Sequence, residues 1–364
     1  MSSASGYRVV DCTQVLDTSN ASYLPGGQPL QRCPFNTHQA SGFANEVWIY
    51  GCDQGTHTDS PAHFIEDGKR IHQIEVSTFV AVGVVIDVQR QCGETVEYAM
   101  TLADVHNWER ENGAVPEGAI VCMRTGWSRK FKDQASYRNM GPDGKMRFPG
   151  FSTEAADYLV NERNVTGLGV DTFSPDIGSS NTWPIHHLVL GAGRILVENM
   201  ILEELPPKGF TFVSLPLKIY DAPESPTHVV ALLHESEGAA PLQVASKRSR
   251  VVDCTHTLND KVPFYPGAQP FITFPAAQVP THGYCKKVFC SGSDLGTHVD
   301  SPMHFFPDGR SITDLSAERE LVAPGCVIDV RAQCEADPDY ALSVEDILSW
   351  ESLMESFQRS PSCA

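Results

Sequence analysis

The sequence lacks long apolar runs and has little positive charge. No stretch reaches the roughly 18 consecutive apolar residues that a membrane helix needs. Lys and Arg number 27 against 45 Asp and Glu, which gives a formal net charge of −18. Because nucleic-acid backbones and anionic membranes bind basic surfaces, we expect no nucleic-acid partner and no membrane partner. The opening residues MSSASGYRVVDC contain no apolar segment typical of a secretory signal, so we expect a cytoplasmic protein.

Three motifs of common enzyme and metal-site classes are also missing. The 11 cysteines form no C-x-x-C pair, which argues against a zinc knuckle and favours reduced thiols. There is no G-x-S-x-G elbow of a serine hydrolase. A dinucleotide-binding G-x-G-x-x-G motif is absent too, since Gly167-Leu-Gly169 continues with Val-Asp-Thr172 and lacks the third glycine.

Several segments from the start of the chain recur 241 or 242 residues later. The copies are RVVDCT from Arg8 and Arg250, GTHTDSPAHF from Gly55 with GTHVDSPMHF from Gly296, and VIDV from Val85 and Val327. An offset of this length indicates a tandem domain duplication and not a solenoid. We predict a first domain at 7–245 and a second at 249–364, which contains only the N-terminal half of the repeat. A polar, basic linker joins them.

Apolar strands alternate with helical segments in the first repeat, which predicts an α/β domain. The predicted strands are 7–11, 46–51, 80–88, 120–124, 166–171, 195–198 and 210–217. Thr101-Leu-Ala-Asp104 has the spacing of a capping box and predicts a helix to about Glu111. Ser152 is the predicted N-cap of a helix that extends through Glu162.

Four side chains that can bind a metal lie close together in the first repeat, namely Asp53, His57, Asp59 and His63. All four numbers are odd, so an extended segment would turn these side chains to one face. Pro61 prevents a regular central strand, and we expect the chain to bend there. Buried neighbouring carboxylates are costly unless a cation lies between them. Imidazole and carboxylate together suit a divalent metal, for which we expect Zn²⁺ or Mn²⁺.

The same pattern recurs in the second repeat. Its candidate residues are Asp294, His298, Asp300 and His304. Recurrence follows from duplication and is not independent evidence of function, and each histidine could instead be an ordinary structural residue. Both copies nevertheless keep all four candidate ligands, while Thr58 becomes Val299 and Ala62 becomes Met303. This difference favours the metal-binding interpretation.

Gly55-Thr-His-Thr-Asp-Ser-Pro-Ala-His63 resembles the H-x-G-T-H-x-D-x-P-x-H signature of the cyclase family of metal-dependent hydrolases, which includes bacterial kynurenine formamidase and isatin hydrolase. Trp183-Pro-Ile-His186 resembles the F-P-x-H element of that family, and Leu196-Val-Glu-Asn199 its I-x-E-N strand. Gly169-Val-Asp-Thr172 resembles its G-x-D-T turn. The resemblance spans nearly all of residues 7–235. It implies a swivelling β/β/α fold that assembles as a homodimer or homotetramer.

The resemblance also implies metal ligands. Asp53, His57 and Asp59 would hold a first divalent metal. His63 and Glu198 would hold a possible second metal, with Asp59 bridging the two. The family normally has histidine at the position of Asp53. A carboxylate there would favour manganese or weaken the site, and it could also mean that this metal position is degraded.

The implied activity is hydrolysis of a small amide, lactam or ester, in which metal-activated water attacks the carbonyl. The expected catalytic residues are His63, His186 and Glu198, with His63 or His186 moving the proton. His186 is preferred to His187 because its spacing to Glu198 matches the family. The alternative is a catalytically weakened metal-binding scaffold protein of the same family.

Aromatic residues near the motif suggest a pocket for an aromatic acyl compound. The candidates are Phe43, Trp48, Phe64 and Trp183, for which ordinary core packing is the alternative interpretation.

Overall fold

The strands and helices follow the apolar pattern of the sequence. A computed structural model describes residues 7–18, 24–234 and 250–358. The strands are β1 (Tyr7–Asp11), β2 (Gln31–Asn36), β3 (Asn45–Gly51), β4 (His57–Asp59), β5 (Val80–Asp87), β6 (Ala99–Met100), β7 (Ile120–Arg124), β8 (Gly150–Phe151), β9 (Gly167–Val170), β10 (Ile195–Glu198), β11 (Phe210–Pro216), β12 (Glu224–His234), β13 (Ile272–Ala277) and β14 (Lys286–Gly292).

The helices are mostly short. The α-helices are α1 (His38–Ser41), α2 (Gln89–Glu94), α3 (Leu102–Asn112), α4 (Gln134–Arg138), α5 (Thr153–Asp157), α6 (Pro184–Gly191), α7 (Val279–His282), α8 (Arg331–Ala336) and α9 (Val344–Gln358). Short 3-10 helices are Pro61–His63, Ile71–Gln73, Val76–Phe79, Trp127–Lys130, Pro302–His304 and Ile312–Asp314, and π-helical turns are Tyr158–Glu162 and Ala317–Leu321. Among the described residues, no helix is long and apolar enough to cross a bilayer.

The main sheet has the strand order β1-β12-β11-β5-β7-β9-β10-β4, and β4 also pairs with β12. That last pairing closes the sheet into a barrel-like ring. Its parallel part runs from β5 through β7 and β9 to β10. Alternate residues of β5 pack into two cores on opposite faces of the sheet. Val84 and Ile86 belong to the core that contains Val105 and Trp108 of α3. Val85 belongs to the core that contains Phe210 and Phe212 of β11. Burial on both sides explains why β5 is apolar up to Ile86.

Capping side chains set the ends of the helices on this sheet. Thr101 accepts a hydrogen bond from the amide of Asp104, and the Asp104 carboxylate accepts one from the amide of Thr101. Ser152 caps α5 by accepting from the amide of Ala155. Both predicted helix starts are therefore confirmed, although the α-helical part from Ser152 ends at Asp157 and continues as a π-helical turn.

A second, four-stranded sheet has the order β13-β14-β3-β2. It joins the two repeats, because β2 and β3 belong to the first repeat and β13 and β14 to the second. The central pairing of β14 with β3 is antiparallel, with Val288 opposite Gly51 and Gly292 opposite Val47. Equivalent positions of the repeats differ by 241, so Val288 corresponds to Val47 and Gly292 to Gly51. The two pairs therefore exchange when the repeats are exchanged. The β3–β14 contact is thus an internal two-fold contact between the repeats.

The chain forms two compact units, one up to Val322 and one from Ala323. The second repeat is therefore divided, and its strands β13 and β14 belong to the first unit. The described part of the second unit contains α8 and α9. The predicted linker around residues 243–250 falls largely outside the described residues.

Candidate active site

The site is built on β4, the strand that closes the main sheet. In the pairing with β10, Glu198 lies opposite His57, and in the pairing with β12, Glu224 lies opposite Asp59. Side chains at directly opposite positions of neighbouring strands point to the same face. The closure of the sheet therefore brings two glutamates against the histidine and aspartate of the motif.

Two imidazoles face the carboxylates of Asp59 and Glu198. His57 Nε2 lies 3.4 Å from Asp59 Oδ1 and 3.3 Å from Glu198 Oε2. His186 Nε2 lies 3.6 Å from Asp59 Oδ2 and 3.3 Å from Glu198 Oε1. All four side chains are buried. Two nitrogen and two carboxylate ligands thus surround one small volume.

His186 is oriented by Asp176. It lies in the first turn of α6, where the Asp176 carboxylate accepts a hydrogen bond from the amide of Ile185 over 2.8 Å. The same carboxylate accepts from His186 Nδ1 over 2.6 Å. When the neutral ring carries its proton on Nδ1, the lone pair of Nε2 is free to bind a ligand in the site. The neighbouring His187 is exposed, so His186 is the member of the pair that faces the site.

His63 lies at the end of the 3-10 helix that begins with Pro61, where the strand is interrupted as predicted. Its Nδ1 donates to the carbonyl oxygen of Cys285 over 2.7 Å, and its Nε2 lies 3.6 Å from Glu224 Oε2. Cys285 belongs to the second repeat. The backbone of that repeat therefore fixes the orientation of a histidine in the first.

Asp53 lies beside the other carboxylates but is held by a lysine. Its Oδ2 accepts a hydrogen bond from Lys286 Nζ, another group of the second repeat. Cys52 Sγ donates to Glu224 Oε1 over 2.9 Å. Ligand atoms of Cys52, Asp53 and Glu224 lie within 4.8 Å of one another.

The buried charges shift several pKa values in the site. Burial and the charges of Asp53 and Asp59 raise the pKa of Glu224 well above its usual range. Burial alone would lower the pKa of His57, but the carboxylates of Glu198 and Asp59 outweigh it and raise that pKa to about 10. The carboxylates therefore require positive charge nearby, as imidazolium or as a bound cation.

The unpaired oxygen atoms of the site fit a divalent metal. Among the described residues, Asp59 Oδ1, Asp59 Oδ2 and Glu198 Oε1 are buried and accept no hydrogen bond. Buried carboxylate oxygens are normally satisfied, because leaving one unpaired costs free energy. Ligand atoms of Asp59, His63 and His186 lie within 4.8 Å of one another, as do those of His57, Asp59 and Glu224. Imidazole nitrogen and carboxylate oxygen are ligands that zinc and manganese accept.

A cavity of about 570 Å³ opens onto these residues. Its aromatic lining consists of Phe64, Phe148, Phe173, Trp183 and Tyr284. Phe64 and Trp183 thus lie where the aromatic prediction expected them, and Tyr284 comes from the second repeat. Phe43 instead packs against His304, with ring centroids 5.6 Å apart, and Trp48 Nε1 donates to Glu46 over 2.7 Å.

The equivalent cluster of the second repeat is more open. The side chains of His298 and Asp300 are 34% and 54% exposed. Asp294 accepts a hydrogen bond from Asn45 over 2.9 Å, and His304 donates to the carbonyl of Ala44 over 2.7 Å. Within the described ranges, the sets of three ligand atoms that lie within 4.8 Å of one another all belong to the first repeat.

Sequence reasoning missed several residues of the site, among them Asp176, Glu224, Tyr284 and Lys286. Glu224 stands in Pro223-Glu-Ser-Pro226, which has turn-like composition although it begins β12. The other three reach the site through tertiary packing. Alignment of the two repeats at the offset of 241 pairs Lys286 with Asn45. This replacement of an amide by an ammonium does not indicate which residue the lysine contacts.

Comparison with known proteins gives a consistent result. The family model described as "Putative cyclase" matches residues 10–177 and 252–359. An isatin hydrolase from Roseibium aggregatum is 28% identical over 243 residues, covering 62% of this chain and 91% of the relative. A kynurenine formamidase from Bacillus mycoides is 26% identical over 222 residues, covering 61% of this chain and 95% of the relative. The solved structure of isatin hydrolase A from Ralstonia solanacearum superposes with a TM-score of 0.60 at 35% identity, covering 63% of this chain and 93% of that structure.

Proposed function

The chain belongs to the cyclase family of metal-dependent hydrolases, and we propose that it hydrolyses a small aromatic amide, lactam or ester. The similar proteins named isatin hydrolase and kynurenine formamidase act on a lactam and on an amide attached to an aromatic compound. The observation that carries the proposal is the convergence of His57, Asp59, His186 and Glu198, with unpaired carboxylate oxygens, at the base of a cavity.

These four residues would hold a divalent metal, Zn²⁺ or Mn²⁺. Such a cation, when bound, polarises the substrate carbonyl and lowers the pKa of water. In this proposal Asp53 is paired with Lys286 and is not a ligand, and His63 handles protons. The ligand set therefore differs from the one that the sequence motif implied.

His63 is the proposed acid–base group. Its Nδ1 donates to the Cys285 carbonyl, so the neutral ring has an unprotonated Nε2 that can accept a proton. Water adds to the carbonyl carbon and gives up a proton to this Nε2. The carbon–nitrogen bond then breaks, and Nε2 returns the proton to the leaving nitrogen. An ester would follow the same course with oxygen as the leaving atom.

The cavity supports an aromatic substrate. Its volume of about 570 Å³ lies in the range of small-molecule sites, and Phe64, Trp183 and Tyr284 give it flat apolar walls. A ring held between these walls would direct its carbonyl group toward the histidines and carboxylates at the base.

The test compares wild type, His63→Gln and His187→Gln on isatin and N-formylkynurenine, with the metal content of each measured by elemental analysis. We expect His63→Gln to keep its metal while kcat/KM falls by about 10²- to 10⁴-fold, because the proton acceptor is lost. His187→Gln, which changes an exposed neighbour of the site, should match wild type. Equal turnover by His63→Gln and wild type would refute the role of His63, and failure of wild type on both substrates would count against this substrate class.

A further inference from the structure

The first ligand position of the cyclase signature carries Asp53, and Lys286 of the second repeat donates a hydrogen bond to its carboxylate. We propose that the Lys286 ammonium takes the place of a second metal cation, so that this centre binds a single divalent metal. The inference rests on the proposed function, because it concerns the composition of the same centre.

The residues around Lys286 form a set that could otherwise hold a metal. Cys52, Asp53 and Glu224 offer sulfur and oxygen atoms within 4.8 Å of one another. Cys52 and Glu224 are almost completely buried, and Lys286 is 8% exposed. A buried pair of carboxylates needs a positive charge, and the ammonium supplies it. A divalent cation at the same point would be repelled by the ammonium and would have to displace it.

The backbone makes room for the lysine–aspartate pair. A Cβ at Gly51 would lie 2.7 Å from Asp53 Oδ1, and a Cβ at Gly27 would lie 3.4 Å from Lys286 Nζ. The first distance is shorter than a Cβ atom can tolerate, so Asp53 could not take this position beside a larger residue. Lys286 is also fixed from its own side, because it begins β14, which pairs with β3.

The two repeats provide an internal comparison. Asn45 is the equivalent of Lys286 and Asp294 the equivalent of Asp53, and Asn45 Nδ2 donates to Asp294 Oδ2 over 2.9 Å. The contact is therefore shared by both repeats, whereas the positive charge is not. The charge lies on the side where Asp53 is joined by the second carboxylate of Glu224. The repeat contact itself therefore needs no positive charge, since Asn45 makes it with a neutral amide. The ammonium of Lys286 instead balances the negative charge of the two carboxylates in the first repeat's site.

The experiment measures metal stoichiometry in the full chain. Wild type, Lys286→Met and the control Lys287→Met are loaded with excess Zn²⁺, desalted and assayed by elemental analysis. Lys287 is the matched control because its ammonium pairs with Asp221 instead of Asp53. We expect about one equivalent of Zn²⁺ in wild type and in Lys287→Met and about two in Lys286→Met. Only Lys286→Met frees Cys52, Asp53 and Glu224 to bind a second metal. One equivalent in Lys286→Met, or two in wild type, would overturn the proposal.

Loading with Co²⁺ identifies the ligands of the additional metal. A cobalt ion bound by Cys52 would give a sulfur-to-cobalt charge-transfer band in Lys286→Met. The band should be absent from wild type and from Lys286→Met combined with Cys52→Ser, and its absence from Lys286→Met itself would contradict the assignment. If Lys286→Met does not fold, titration of wild type with Co²⁺ still decides the matter, since a second bound equivalent would overturn the inference. A wild type that binds no metal would refute the metal centre itself, whereas one equivalent in every variant would refute this inference alone.

Discussion

Asp176 connects the helix that carries His186 to the chemistry of the site. One carboxylate caps the start of α6 and also accepts from the imidazole Nδ1. A metal-binding histidine is generally held in this way, since the acceptor fixes the tautomer and makes the other ring nitrogen a better ligand. Asp176 is therefore a positioning residue, although it does not face the substrate cavity.

Replacing Asp176 with asparagine should weaken metal binding by about 10- to 100-fold, because the neutral amide no longer polarises the imidazole. Competition with a chromogenic chelator measures this affinity directly. The exposed Asp67→Asn is the matched control and should bind metal like wild type. Unchanged affinity in Asp176→Asn would show that His186 does not depend on this contact.

The sequence predicted the motif residues better than their partners. His57, Asp59, His186 and Glu198 were identified from the sequence and do lie together. The residues of the motif are local in sequence, so spacing and a family resemblance reveal them. Lys286 lies 233 residues from Asp53, and its role depends on a strand pairing that no local pattern encodes.

At the scale of elements, the main sheet depends on close packing between β5 and β11. Gly83 of β5 lies opposite Phe210 of β11, whose side chain is fully buried. A Cβ at Gly83 would lie 1.9 Å from Phe210 Cε2. The absence of a side chain at Gly83 therefore allows the phenylalanine ring to lie across the strand.

Gly83→Ala should lower the free energy of unfolding by about 1–3 kcal/mol, because the ring must move within a packed core. The urea midpoint of the full chain reports the change. Gly93→Ala in α2 is the control, because a Cβ there meets nothing within 4 Å. It should leave stability unchanged or raise it by up to about 1 kcal/mol. A Gly83→Ala protein as stable as Gly93→Ala would contradict the packing argument.

Helix α3 is tied to the rest of the fold by Glu109. Its carboxylate accepts two hydrogen bonds from the Arg163 guanidinium, at 2.6 and 3.1 Å, and one from the amide of Val115 at 3.0 Å. The Arg163 hydrogen bonds, followed by burial in the opposite sense, lower the pKa of Glu109 to about 2. A depressed carboxyl pKa means that the ionised form stabilises the fold.

Glu109→Gln should therefore cost about 1–2 kcal/mol of stability at neutral pH, a value reduced for partial solvent screening. The difference from wild type should be complete above the unfolded pKa of about 4.3 and shrink as pH falls toward 2. Urea unfolding at several pH values measures it. Glu111→Gln on the exposed side of α3 should differ from wild type by less than about 0.5 kcal/mol throughout. A Glu109→Gln difference that does not change with pH would contradict the linkage.

Strands with continuous apolar sequence were predictable, and polar strands were not. The predictions for β1, β7 and β10 are confirmed residue for residue, and those for β3, β5, β9 and β11 within one residue at each end. These segments are buried on one or both faces and carry the pattern that burial requires. In the first repeat, β2 is largely exposed and β12 begins with Glu-Ser-Pro, so the sequences at these positions resemble loops.

At the scale of the whole molecule, equivalent residues of the two repeats make equivalent contacts. The amide of Cys285 donates to the His63 carbonyl at 2.7 Å, and the amide of Ala44 donates to the His304 carbonyl at 2.8 Å. Capping boxes also recur, at Asp104 in α3 and at the start of α9. The second repeat therefore contributes to the first repeat's site through Tyr284, Cys285 and Lys286.

Hydrolysis by the first repeat is expected to require a divalent metal. The most direct test follows isatin hydrolysis by the full chain before chelation, after removal of metal with a chelator, and after Zn²⁺ or Mn²⁺ is returned. We expect turnover to disappear with the metal and to return with it, because His57, Asp59, His186 and Glu198 would otherwise hold no cation to polarise the carbonyl. Full turnover by protein that elemental analysis finds free of metal would contradict it.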